Sequence, residues 1–451
     1  MTRAELERLD KSQLIEIIER QAQLLSTMEA RILELEKLSV RSAAPFGRGT
    51  PSPDPKRPGR GKGHKGSWRE RVADDQINER IDVSLTHCPQ CGERLDAGRD
   101  KILEQTIIDI APALPWVTRL LTHRNVCSCC KAKVASRHGL QVSRARGAAG
   151  THLGPRALGL AASLSRGFGL TMRKTCAVLK EVAGLDLTPG GLSQALARMA
   201  DRLEPESDAL LAKLRASAVL HTDETSWWVG RSGYSLWVLT NGSATYYEVV
   251  DTRSKAKAAE LLGGYKGVLV SDCLNIYDDL TPLQHKCYAH HLKAIRMASQ
   301  APASRDSPYL TDLRGLLLAA MVLKKTKPER DEKAFARMRQ SLEHNADKLL
   351  TLKNYEHALD AASYEKVRLR LLKQRDHLFT FLDHQEVEAT NNLAERQLRP
   401  AIISRKLSCG NKTDNGARAW ARMTSHAATC RQNGLSFFDF VAARMPLAQP
   451  A

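Results

Sequence analysis

Two acidic residues stand directly behind runs of strand-forming residues. Asp223 lies in HTDETSWWV after Ala218-Val219-Leu220, and Asp272 ends the run Gly267-Val268-Leu269-Val270-Ser271 in VLVSDCLNIYDDL. A carboxylate at the end of a buried strand is costly alone, so it needs a base, a buried hydrogen-bond network or a metal. A site for two divalent cations roughly 4 Å apart needs several such acids to hold and neutralise them. A third acid is then expected on a later helix. Glu395 in EATNNLAERQLRP fits, because Asn391, Glu395 and Arg399 are spaced to share one helix face. Pro400 is expected to end that helix. Glu388 is the rival third acid, and a surface ion pair with Arg399 is the plain alternative for Glu395. Glu224 reads either as a support behind the ligands or as an exposed side chain. Trp227 and Trp228 suit stacking on a flipped base, with packing against the sheet as the alternative.

The cysteines suggest a second, softer metal site. CPQCG supplies Cys88 and Cys91, and CSCCK supplies Cys127 and Cys130. A CxxC pair can clasp one tetrahedral zinc ion from a tight turn, and two pairs provide four thiolates. The 35 residues between the pairs exceed the usual spacing and read as an inserted hairpin, with arms Ile102 to Ile110 and Trp116 to Val126. Cys129 is a bystander or a competitor of Cys130, and His87 and His123 are weaker candidate ligands.

Elements must position these groups. Strand-like runs follow Asp223 at Tyr234 to Leu239 and Thr245 to Val250, then a helix from Ser254 to Leu262 and the strand that ends at Asp272. This order resembles the ribonuclease H-like fold, where three antiparallel strands, a helix and a parallel strand bring acids to the sheet edge. Residues from about 305 to 380 have helical periodicity and read as a helical insertion. Upstream, Thr171 can cap a helix ending near Gly184, and Thr188-Pro189 can start another with Leu192, Leu196 and Met199 on one side. That pair reads as a helix-turn-helix or as part of a small helical bundle.

Nearer the start, Leu14, Gln21, Met28 and Leu35 interleave with Ile18, Leu25 and Ile32 in a heptad seam that Asp10 and Gln13 can cap. A coiled coil there implies self-association; packing on its own domain is the alternative. Residues 41–69 form a Pro/Gly/Ser-rich linker with eight Lys or Arg against one acid, Asp54. It suits either a DNA backbone or a soluble spacer.

Composition agrees with a nucleic-acid partner. The 451 residues carry a formal charge of +18 and a pI near 9.5, a surplus that favours a polyanion. Apolar residues at 42% and charged residues at 26% fit a soluble protein of several domains. The longest apolar run, Leu316 to Leu323, is too short to span a membrane. MTRAELERLDKSQ has no apolar signal core, so a cytoplasmic location is expected.

Taken together, the heptads, GRGKGHKG, the two CxxC pairs, HTDET, VSDCLNIYDDL, CYAHHLK and NNLAERQLRP…SRK resemble the transposases of the insertion sequence 66 family, which are DDE enzymes. Thr390 stands where the family commonly has an acid, and SRKLSCGNKTDNG follows the family's tail only in part. The resemblance implies a catalytic triad of Asp223, Asp272 and Glu395 on Mg2+ or Mn2+, and structural zinc on Cys88, Cys91, Cys127 and Cys130. Cys287 and His290, in CYAH, resemble a CxxH signature beside this site in related transposases, and a structural role is expected of them. Candidate DNA contacts are Arg60, Lys62, Lys65, Arg396, Arg399, Arg405 and Lys406.

The expected fold is multi-domain α+β. It comprises a coiled coil over 1–40, a basic linker over 41–70, a zinc-ribbon-like module over 80–138 and a helical DNA-binding region over 150–214. A ribonuclease H-like catalytic domain over 215–400 and a basic tail over 401–451 complete it. The implied activity is metal-dependent cleavage at insertion-sequence ends and strand transfer into target DNA. The implied setting is the bacterial nucleoid, as a homo-oligomer with accessory proteins encoded by the same element. A nuclease that only hydrolyses, or a non-catalytic zinc-dependent DNA-binding regulator, are the alternatives.

Overall fold

The computed structural model describes residues 71–83, 86–95, 104–110, 114–139, 141, 151–300, 307–329, 331–351 and 361–445. The heptad seam and the basic linker, with Arg60, Lys62 and Lys65, lie outside the described residues. The chain forms two compact units, Met1–Pro112 and Ala113–Ala451.

In the first unit, Cys88 and Cys91 sit in a tight turn. The Gly92 amide donates to the Cys88 carbonyl (2.9 Å) and the Cys88 amide to the Glu93 carbonyl (2.8 Å). The second unit repeats this turn around Cys127, where Lys131 and Ala132 take the places of Gly92 and Glu93. Gly92 (φ 76°) and Lys131 (φ 57°) are both left-handed, as the turn demands. Strands β1 (Arg124–Val126) and β2 (Lys133–Ala135) pair across this second turn. That overturns the hairpin expected between the CxxC pairs. Residues 104–110 and 116–123 of its arms have no regular structure, and the last three of the second arm, Arg124–Val126, pair with β2 instead. Ile107, Ile108, Trp116 and Val117 are exposed, so no buried face holds the arms in register.

Helices α1 (Pro155–Ala162), α2 (Met172–Ala183) and α3 (Pro189–Arg202) come next. The Thr171 and Thr188 hydroxyls accept from the Lys174 and Gly191 amides, which satisfies otherwise orphaned donors at the two helix starts. Leu192, Leu196 and Met199 are buried on one side of α3. Helix α4 (Glu204–Arg215) then leads into β3 (Val219–Val229), β4 (Arg231–Thr240) and β5 (Thr245–Val250). After α5 (Lys255–Leu262), β6 (Val268–Ser271) and β7 (Gln284–Lys286) complete a five-stranded sheet in the order β5-β4-β3-β6-β7. The first three strands are antiparallel neighbours; β6 and β7 run parallel to β3. Asp223 therefore lies within a strand rather than at its end. Cross-strand pairing with β4 carries β3 six residues further, to Val229, through Thr225↔Leu236 and Trp227↔Tyr234.

Beyond the sheet come α6 (Tyr288–Ser299), α7 (Pro308–Lys325), α8 (Glu332–Thr351), α9 (Ala361–Lys373), α10 (Thr380–Asp383), α11 (Asn392–Ser408), α12 (Asp414–Gln432) and α13 (Phe437–Ala443). One sheet face buries Leu220, Trp237 and Leu239 against Leu210, Leu214 and Leu261 of α4 and α5. The other buries Trp227, Leu236 and Val238 against Leu398 and Trp420 of α11 and α12. Helices α6 to α9 form a separate core with Val268, Val270 and Phe381.

Pro400 lies inside α11 instead of ending it. Its ring removes one backbone donor, but Ala401 is buried in the sheet-facing core and Arg405 reaches β3, so tertiary contacts carry the helix past it. After α11 the chain returns to β3 at Gly410 (φ 98°), where a Cβ would stand 2.3 Å from the Trp228 carbonyl oxygen. Only glycine fits so close to that strand.

Candidate active site

Alternation along β3 turns His221, Asp223, Thr225 and Trp227 to the α11 face and Glu224 to the opposite one. Parallel pairing with β6 runs Val219↔Val268, Leu220↔Leu269 and His221↔Val270. Carried forward, that register sets Asp223 level with Asp272 on the neighbouring chain segment, about one strand spacing (roughly 4.8 Å) away. The third acid arrives through Asn391, which is fully buried at the start of α11. Its side-chain amide donates to the Thr222 carbonyl (2.8 Å), its Oδ1 meets His221 Nδ1 (3.1 Å), and its backbone amide donates to Cys287 Sγ (3.1 Å). The Asn391 carbonyl accepts from the Glu395 amide (3.2 Å), so Glu395 stands one helical turn above this clamp.

The electrostatics agree with a crowded acidic centre. Burial pushes the Asp223 carboxyl well above the usual range, and the charges of Asp272, Glu224 and Glu395 push it further. Burial also raises Asp272, opposed by the Leu274 amide, Lys286, Arg253 and Arg370. Carboxylates that suppress one another's ionisation form a donor set that fits divalent cations, whose charge reverses that penalty. Glu388, the rival, is exposed and is not among the charges acting on Asp223. Among the described residues, no ion pair joins Glu395 to Arg399.

Supporting charges lie around the acids. Glu224 is buried and accepts from Tyr277 and Arg253, so the exposed alternative is excluded for it. Lys286 has no exposed surface; it donates to Ser271 Oγ (3.2 Å) and lies 3.7 Å from Asp278, which also pairs with Lys373 (2.7 Å). Arg370 on α9 keeps Nε and Nη2 buried without a hydrogen-bond partner, while its charge acts on Asp272. Sequence reasoning passed over Lys286, Tyr277, Arg253 and Arg370. Nothing local marks a lysine or arginine as buried.

Other expected contacts divide. Arg396, Arg399 and Lys406 are exposed on α11. Arg405 instead braces α11 on β3, donating to Thr225 Oγ1 (3.1 Å) and Ser226 Oγ (3.0 Å). Trp227 is buried, 4.5 Å between centroids from Trp420, and donates to Asn411 Oδ1 (2.9 Å). Packing therefore accounts for Trp227, whereas Trp228 is 40% exposed.

Each CxxC turn presets its thiols. The amides of Cys91 and Gln90 hold the Cys88 thiol below its usual pKa, and those of Cys130 and Cys129 do so for Cys127. Thiolate-favouring turns of this kind fit zinc ligation. Cys91, Cys129 and Cys130 are exposed. His123 is tied to Ser136 by its backbone, and His87 Nδ1 meets Thr86 Oγ1 (3.1 Å). Among the described residues, no helix is long and apolar enough to cross a membrane.

Residues 150–419 match the family described as "Transposase IS66 family". The chain is also similar to the uncharacterized protein y4qI of Sinorhizobium fredii (strain NBRC 101917 / NGR234), with 23% identity over 296 residues, 57% of this chain and 53% of that protein. A second protein of that strain, y4jO, is 30% identical over 83 residues, covering 18% of this chain and 26% of its own length. The chain thus spans about half the length, or less, of these curated relatives.

Proposed function

The chain belongs to the IS66 transposase family, and from that premise we propose that it cuts DNA at the ends of an insertion sequence and joins the freed 3′ ends to target DNA. The observation that carries this reading is the β3–β6 register, whose continuation past His221↔Val270 would set Asp223 beside Asp272, with Glu395 one helical turn beyond the Asn391 clamp. The strand order, antiparallel in its first three members and parallel in its last two, supports a ribonuclease H-like assignment for the sheet. Helices α7 to α9 read as an insertion between the sheet and Glu395 in a catalytic domain over 215–400.

Asp223, Asp272 and Glu395 would hold Mg2+ or Mn2+, which, when bound, supplies an activated oxygen nucleophile and charge stabilisation at the scissile phosphate. Around them, Lys286, Arg253 and Arg370 offset the carboxylate charge. Asn391 sets the height of Glu395, and Arg405 keeps α11 on β3. Exposed Arg396, Arg399 and Lys406 offer the DNA backbone a sequence-independent contact. Helices α2 and α3 are the candidate end-recognition element, and the CxxC turns stiffen their surroundings by holding zinc. The N-terminal heptads supply self-association; the working site is nucleoid DNA, with products of neighbouring reading frames as helpers.

The test is a duplex carrying the element's terminal repeat, incubated with full-length protein in Mg2+. Expected are nicked ends and, with a pre-cut 3′ end, joined products; Asp223→Asn abolishes both. Nicking without joining indicates a hydrolase. Binding without metal-dependent cleavage indicates a regulator.

A further inference from the structure

Three unlike donors converge where α6 meets α11. Cys287 precedes the first residue of α6, His290 lies in that helix's first turn, and Glu395 lies in the first turn of α11. Their ligand atoms all fall within 4.8 Å of one another. His290 Nδ1 is buried with no hydrogen-bond partner, a costly state that ligation would relieve. Cys287 is buried, and its sulfur already accepts the Asn391 amide. Burial holds the His290 imidazole below its usual pKa, with Glu395 opposing and Arg370 and Lys293 reinforcing. Burial raises the Cys287 thiol, opposed by the amides of Asn391, His290 and Ala289.

We propose that Cys287, His290 and Glu395 form a site for a borderline-soft divalent ion, zinc above all, distinct from the CxxC turns and sharing Glu395 with the carboxylate centre. The donor types decide the ion. Mg2+ takes oxygen ligands in octahedral geometry, whereas thiolate, imidazole and carboxylate together form a zinc set. Three protein ligands leave a fourth position for water or substrate. Binding releases the thiol proton to solvent. One consequence rests on the transposase reading: zinc here engages the carboxylate that the catalytic ions need, so zinc and Mg2+ compete for Glu395.

Full-length protein, purified without chelator, is dialysed against Zn2+, and bound zinc is counted by elemental mass spectrometry. Cys287→Ser and His290→Gln are compared with wild type, with Cys409→Ser as an exposed-thiol control, after circular dichroism confirms their fold. Wild type and Cys409→Ser should each hold one more zinc per chain than Cys287→Ser or His290→Gln. Equal zinc in folded Cys287→Ser, His290→Gln and wild type overturns the site. If both variants misfold, anomalous scattering from zinc-soaked wild-type crystals decides. A peak between Cys287 and His290 supports the site, and none overturns it. Neither readout uses catalysis, so an inactive protein that binds zinc leaves this site standing, and an active one that does not removes it alone.

Discussion

The side-chain amide of Asn391 donates to the carbonyl of Thr222 at 2.8 Å, across 169 positions of sequence. That single bond joins the strand carrying Asp223 to the helix carrying Glu395. Its partners make it directional, because Asn391 Oδ1 is engaged by His221 and only the amide nitrogen can meet a carbonyl.

Asn391→Ala should therefore cost about 1–3 kcal/mol of stability, since it strands buried polar groups. It should also slow cleavage by roughly 10² through misplacement of Glu395, with a raised Mg2+ half-saturation. Asn391→Asp should do no better, because it sets an acceptor against the Thr222 carbonyl. Normal Mg2+ dependence in a folded Asn391→Asp protein would show that the clamp does not position the acid.

On the proposed role, Glu395→Gln keeps shape but removes a charge from the site that would hold divalent ions. Loss of about 4 kcal/mol of transition-state stabilisation is about a thousandfold in rate. Cleavage of a terminal-repeat duplex should fall by about that factor, while DNA binding survives or strengthens. Exposed Glu388, changed to Gln, should leave the rate nearly intact. The reverse pattern moves the third acid to Glu388.

A pH effect follows from the raised Asp223 carboxyl, whose causes are burial first, then Asp272, Glu224 and Glu395. A group that holds its proton more tightly when folded stabilises the fold at low pH. That stabilisation is lost as pH rises through the raised pKa. Without divalent ions, wild type should melt at progressively lower temperature from the ordinary carboxylate range toward neutrality, and Asp223→Asn should flatten this slope. Added Mg2+ should restore the wild type and leave the variant unmoved. A variant as pH-sensitive as wild type would be evidence against a crowded centre.

For the CxxC turns, the amides around Cys88 and Cys127 already favour thiolates. Cys88→Ser and Cys127→Ser should each lower bound zinc and loosen the surrounding backbone, since metal binding is much of the folding energy of such turns. Metal analysis joined to limited proteolysis reads both effects. Undiminished zinc in either variant removes that cysteine from the ligand set.

Local chemistry was legible in the chain itself. Thr171 and Thr188 capped the helices expected of them, and the strand-like runs at Tyr234 to Leu239 and Thr245 to Val250 lie in β4 and β5. The two acids and the CxxC turns could be named as candidates, because runs of strand-forming residues and tight CxxC turns are set within a few residues. What the chain could not disclose depended on distant partners. Pairing with β4 extended β3 past Asp223, and packing on the sheet carried α11 through Pro400. The β3–β6 register, the burial of Lys286 and the two buried, unpartnered guanidinium nitrogens of Arg370 arise only once β6, β7 and α9 are in place. Propensity acts over a helical turn or a strand, whereas register and burial are decided by whichever surface a segment meets when the chain closes on itself.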